Sequence, residues 1–144
     1  LAGHVTAEVH DLDGRLIQVV SNHNHVVLTG RNIMRDLING LITHPTHLGA
    51  GLNATVVADS DVGLVEEVTR ILVISRTPTV SGTVIRAFMG ATVGNGFTYV
   101  EAGLFNAAFS DPNSTMFSRA THDSIVKSSN NTITYIWNLD ISSL

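Results

Sequence analysis

A chain of 144 residues without cysteine has the length of one domain, and it excludes disulfides, thiolate nucleophiles and cysteine-type zinc sites. Charged residues make up 14% of it against the ~25% usual for soluble domains, while hydrophobic residues make up 44%. Eight basic residues scattered among twelve acidic ones give a net charge of -4, which excludes a phosphate-tracking stripe and a nucleic-acid partner.

The first predicted element is a hairpin. Val5-Thr6-Ala7-Glu8-Val9 and Leu16-Ile17-Gln18-Val19-Val20 alternate in character around Asp11-Leu12-Asp13-Gly14, whose glycine supplies the positive φ of a tight turn. Ser21 to His25 reads as a polar loop. Ile33, Met34, Leu37, Ile38 and Leu41 then recur at three- and four-residue spacing, so a short surface helix is expected near residues 30–41, with Thr29 and Asn32 as caps and Gly40 and Pro45 marking its end. Leu48-Gly49-Ala50-Gly51-Leu52 reads as a glycine-rich connection leading into a loop that runs to Gly63. A turn at Leu64 to Glu67 and a strand from Val68 follow, where β-branched residues dominate.

Further strands are expected over 83–91, 97–105, 115–119 and 132–141, separated by the clusters Gly94-Asn95-Gly96, Asp111-Pro112-Asn113 and Ser128-Ser129-Asn130-Asn131. In the last strand Ile133, Tyr135, Trp137, Leu139 and Ile141 alternate with a more polar set. Strands at this spacing make the chain mainly β: one domain over residues 1–144, a β-sandwich or jelly roll with one helix attached. The absence of any apolar run near ~18 residues, and of a basic-then-apolar leader, leads to the expectation of a soluble chain made in a cytoplasm without a membrane partner. Because Leu1 stands where an initiator Met would, an N-terminal arm is expected upstream.

Little in the sequence suggests catalysis. His23 and His25, and His44 and His47, have spacings that suit a shared metal, but no cysteine or carboxylate falls in register with them. Asp59, Asp61 and Glu66 depart from the register of a calcium loop. His122-Asp123-Ser124 are neighbours on a strand, where successive side chains point to opposite faces and no triad forms. The glycines from Gly90 to Gly96 lack the Lys-Ser/Thr pair of a phosphate cradle. No catalytic residue, cofactor or metal is expected, and the chain is not expected to be an enzyme. The charges embedded in apolar surroundings are a different matter. Glu101 lies within Tyr99 to Phe105, Arg119 within Met116 to Ala120, and Glu66 and Glu67 shortly precede Arg70. A buried charge is normally paired, so Glu101 or Glu66 is expected to pair with Arg70 or Arg119 and fix strand register.

From Asn24 to the C-terminus, the order of several patches resembles a family of small tailed-bacteriophage virion structural proteins, found as capsid decoration (cement), tail-fibre or baseplate components. The patches are Gly30-Arg31-Asn32, Leu48 to Gly51, Leu64 to Arg70, Glu101 to Asn106, Met116 to Ala120, Lys127 and Trp137 to Ile141. The resemblance implies a β-sandwich used for assembly, with no catalytic residues. A cement protein is expected first, since the chain is short and its low charge suits faces covered by protein; a Ser/Thr/Asn-rich solvated surface accounts equally for that charge. Such a protein would form a homotrimer, contact the major capsid protein or another virion protein, and reside in the virion after assembly in the host cytoplasm. The alternative is a tail-fibre or baseplate-associated module that binds a receptor through loops around Thr43 to Asp61. Trp137 or Tyr99 in an open cleft would favour that alternative, and their burial would favour a scaffold.

Overall fold

The computed structural model describes residues 2–41 and 44–142, so the expectations attached to Leu1 and Thr43 lie outside the described residues. Strands β1 (Ala2–Asp11) and β2 (Leu16–His23) form the N-terminal hairpin. Its turn is built by Asp11, whose Oδ1 accepts the backbone N–H groups of Asp13 and Arg15, each at 2.9 Å, and by Gly14 at φ +83°. Ser21 to His25 is not a loop. The strand persists to His23, which stacks on His4 of β1 at 4.4 Å, and polar residues are tolerated because this face meets solvent. The chain bends at Asn24, whose backbone N–H donates to the Gly3 carbonyl, and two-residue β3 (His25–Val26) then pairs with Arg119 and Ser118.

Helix α1 spans Leu28–Ile38, two residues earlier than the sequence pattern suggested. Thr29 and Asn32 lie inside it and do not cap it. The N-cap is Val27 without a side-chain bond, and the Leu28 amide, one of the first-turn donors without a partner inside the helix, donates to the Asp59 carbonyl at 3.0 Å. The Thr29 hydroxyl donates to the Met116 carbonyl at 2.7 Å, which ties the helix to the strand that starts at Met116. Gly40, at φ +80°, turns the chain away after Asn39.

Strands β4 (His47–Gly51), β5 (Glu67–Pro78), β6 (Gly82–Met89), β7 (Thr98–Phe105), β8 (Met116–Val126) and β9 (Asn131–Asp140) complete the fold. The Gly-rich stretch expected to be a connection is therefore a strand, with Leu48 and Ala50 buried inward. All pairings are antiparallel, in the order β2-β1-β9-β6-β5-β4-β7-β8-β3. The long strand β5 joins the halves: its first part pairs with β4, its last part with β6, and a register shift between Val73 and Ser75 marks the change. The two layers of the sandwich are thus the halves of one curled sheet. End strand β2 meets β8, beyond the reach of two-residue β3, where the Gln18 side chain donates to the Ser124 carbonyl at 2.9 Å and the Asn22 side chain donates to the Thr121 carbonyl at 2.8 Å.

The core fills the interior of this curl. Val5, Ala7, Val9, Ile85, Ala87, Met89, Ile133, Tyr135 and Trp137 project from one half, and Leu48, Ala50, Ala102, Leu104 and Ala120 from the other. Each large side chain fully removed from water contributes ~1.5–3 kcal/mol. A smaller cluster of Val27, Phe105 and Met116, with Leu64 against it, lies on the outer side of β7, beneath the loop that precedes β5. Strand β7 is consequently buried on both faces from Glu101 to Phe105.

Candidate functional site

Two ion pairs organise that outer layer. Glu101 and Arg119 are both fully buried, with Glu101 Oε2 2.9 Å from Arg119 Nη2 and 3.0 Å from Nε. The same carboxylate accepts the backbone amides of Glu66 at 2.8 Å, Val65 at 3.2 Å and Asn53 at 3.4 Å. Arg119 in turn donates to Asp61 at 3.1 Å and to the Asn53 carbonyl at 3.3 Å. The pair thus nails the connection between β4 and β5 onto β7 and β8. Register makes it possible: Glu101 stands opposite Gly51, where a Cβ would come within 2.5 Å of its Oε1, and Arg119 stands opposite Gly103.

Arg70 forms the second pair, with Glu67. Nε and Nη2 each donate to the Glu67 carboxylate at 2.6 Å, in a two-pronged geometry, and both side chains are nearly buried. Nη1 donates to Ser114 Oγ at 2.6 Å and to the Ala107 carbonyl at 3.0 Å, so the guanidinium also fastens the connection between β7 and β8. Its carbon lies 3.5 Å from the Phe105 ring centroid. Around it opens a cleft of about 490 Å³ lined by Val62 to Glu67, Arg70, Phe105, Phe109, Asp111 and Ser114.

Of the four charges singled out from sequence, the structure brings Glu101 and Arg119 together and separates the other two. Glu66 is exposed and contributes its backbone amide to Glu101, while Arg70 takes Glu67. Glu67, expected in the turn before the strand, is instead the first residue of β5, where residues three apart ordinarily face opposite ways. The register shift between Ala50 and Gly51, opposite Glu67 to Thr69, cancels that alternation and brings both side chains to the outer surface.

The remaining candidates are dispersed. Asp59 is gripped at 2.6 and 2.7 Å by Arg31 and lies 3.1 Å from His25, and these contacts, Arg31 foremost, hold its carboxyl well below the usual range. Asp61 belongs to Arg119, so Asp59, Asp61 and Glu66 do not converge. His47 bonds Thr46 Oγ1 at 2.8 Å, and partial burial, with Arg70 nearby, lowers its pKa. Among the described residues, no three His, Asp or Glu side chains are placed to hold a metal ion.

His122 is buried, whereas Asp123 and Ser124 are exposed beside it, where β8 bulges against β7. Its Nδ1 faces the Asp123 carbonyl at 2.7 Å, which only accepts, so Nδ1 carries the proton and Nε2 accepts from the Tyr135 hydroxyl at 3.1 Å. Burial lowers the His122 pKa and raises that of Tyr135. Buried Lys127 donates to Asn95 Oδ1 at 2.6 Å and to the Ser128 carbonyl at 2.9 Å, and desolvation lowers its pKa. The expectation of a buried charge covered Glu101, Arg119 and the stretch from Glu66 to Arg70, and not Lys127. Lys127 lacked such a signal because its neighbours Ser128 and Ser129 read as a solvated turn.

Among the described residues no helix is long and apolar enough to cross a membrane. Comparison of the chain with protein-family models, with curated proteins and with solved structures gives no match.

Proposed function

We propose that the chain is a structural component of a tailed-phage virion, a capsid decoration protein that acts by contact with neighbouring subunits. The observation that carries this reading is the inward commitment of its binding-type aromatics. Trp137 and Tyr99 are fully buried. The Tyr99 hydroxyl donates to the Gly94 carbonyl at 2.8 Å and meets Thr69 Oγ1 at 2.6 Å, so its polar end is occupied as well. A receptor-binding module presents such side chains in an open cleft, whereas a scaffold uses them as core. The buried ion pairs support the same view, since their donors and acceptors are satisfied within the chain and hold loops in place.

In this role a homotrimer would bind the major capsid protein, and modest contacts would suffice because many copies act together. The test is the copy number of the chain in purified particles, combined with co-sedimentation of the protein with empty capsids. Hundreds of copies and saturable shell binding are expected. A handful of copies at a tail tip would transfer the chain to the receptor-binding alternative, and absence from particles with no shell binding would end the proposal.

A further inference from the structure

The outer surface of β5 carries an apolar row that the fold leaves uncovered. Thr69, Ile71 and Val73 face the interior, so Arg70 and Leu72 between them face outward, with Arg70 folded down over Phe105, and Val68 and Ile74, at the strand's two register shifts, are exposed as well. On β6 the inward burial of Ile85 and Ala87 turns Arg86 and Phe88 to the same outer surface. Leu72 is 65% exposed, Ile74 64%, Phe88 46% and Phe109, which overhangs Arg70, 68%. A clustered apolar surface of this kind marks an association site.

The row has oppositely charged ends. Glu66 immediately precedes β5 at the Val68 end, and Arg86 pairs opposite Ser75 at the Ile74 end. Both are exposed, and among the described residues neither side chain has a hydrogen-bonded or ionic partner within the chain. Nine residues of strand separate the two ends, ~30 Å at ~3.3 Å per residue, with Arg70, folded down over Phe105, at the midpoint and Leu72 beside it.

We propose that a second copy of this chain docks on this face about a two-fold axis, with the two β5 strands antiparallel, so that Glu66 of each copy meets Arg86 of the other. This rests on the reading of the protein as an assembly component, and it would link neighbouring trimers rather than build one. A two-fold contact must be self-complementary, and an acidic end and a basic end on one apolar row satisfy that requirement only in the antiparallel arrangement. The apolar side chains supply the association, while the charges select the orientation, since the parallel arrangement would set Arg86 against Arg86.

Sedimentation equilibrium of the purified chain tests this, with far-ultraviolet circular dichroism confirming that each variant folds. The wild type is expected to form a concentration-dependent dimer that Leu72→Asp abolishes. Arg86→Glu should raise the dissociation constant about tenfold or more, and adding Glu66→Arg to that variant should restore most of the loss. A wild type that stays monomeric at about 1 mM overturns the proposal, as does Arg86→Glu dimerising undiminished or a charge swap that restores nothing. Shell binding assayed with dilute, monomeric protein separates the two readings: if it persists while pairing fails, only the two-fold contact is lost.

Discussion

Replacing Glu101 by alanine removes far more than one carboxylate. Arg119, fully buried, would keep Asp61 as its only charged partner, and the amides of Glu66, Val65 and Asn53 would lose their shared acceptor. Breaking a buried pair from one side costs ~3–5 kcal/mol, because the surviving charge is left desolvated. At ~2–4 °C per kcal/mol for a chain of this size, the melting temperature should fall by ~6–20 °C. The single buried Trp137 is the reporter, and its fluorescence in a urea titration gives the free-energy change directly. Removing both charges with Glu101→Leu and Arg119→Met should recover part of the loss, since no buried charge is then left unpaired, while the amides of Glu66, Val65 and Asn53 still lack their acceptor. A single-variant change below ~1 kcal/mol, or a double variant no better than the single, would refute the assignment of this pair as the anchor of the outer layer.

Other consequences can be measured in the same way. Gly51→Ala places a methyl group within 2.5 Å of both Glu101 Oε1 and the Glu66 carbonyl and should cost ~1–3 kcal/mol by overpacking, read from the urea midpoint. Tyr135→Phe leaves Nε2 of buried His122 without its donor and should cost ~1–3 kcal/mol in the same assay. The folded state binds a proton at His122 less readily than the unfolded state. Stability is therefore complete above the free imidazole pKa of ~6.5 and declines as pH falls from there through the lower folded value. The urea midpoint should thus be lower at about pH 5 than at about pH 7.5, and His122→Gln should flatten that difference in part, the remainder including His47, whose pKa is lowered in the same sense. Asn22→Ala with Gln18→Ala should change global stability by ~1–3 kcal/mol at most but speed amide exchange in β2 by removing the seam contacts, as measured by hydrogen-deuterium exchange.

The parts of this molecule that could be read from residues alone were those in which pattern and environment agree. Alternation in β9 and the acidic-glycine turn after β1 follow from local chemistry, and an embedded charge such as Glu101 demands a partner wherever the chain goes. Gly49 and Gly51 were opaque because glycine signals turns most often. Here it clears space in a strand for the side chains of Glu67, Phe105 and Glu101. Glu67 was hidden by a bulge, and the early helix start by a carbonyl of Asp59 from 31 residues further along the chain. Local pattern carries no trace of either, since both depend on which distant segment arrives.

The pairing of β1 with β9, ten residues in continuous register, joins the two extremes of the described chain. Closing a loop that spans nearly all the described residues is entropically slow, so acquisition of the native state should await this late event. During synthesis the β1–β2 hairpin emerges well before β9, and its apolar side, Val5, Ala7 and Val9, then faces water until β9 has left the ribosome. That interval exposes an apolar strand face of the nascent chain to aggregation.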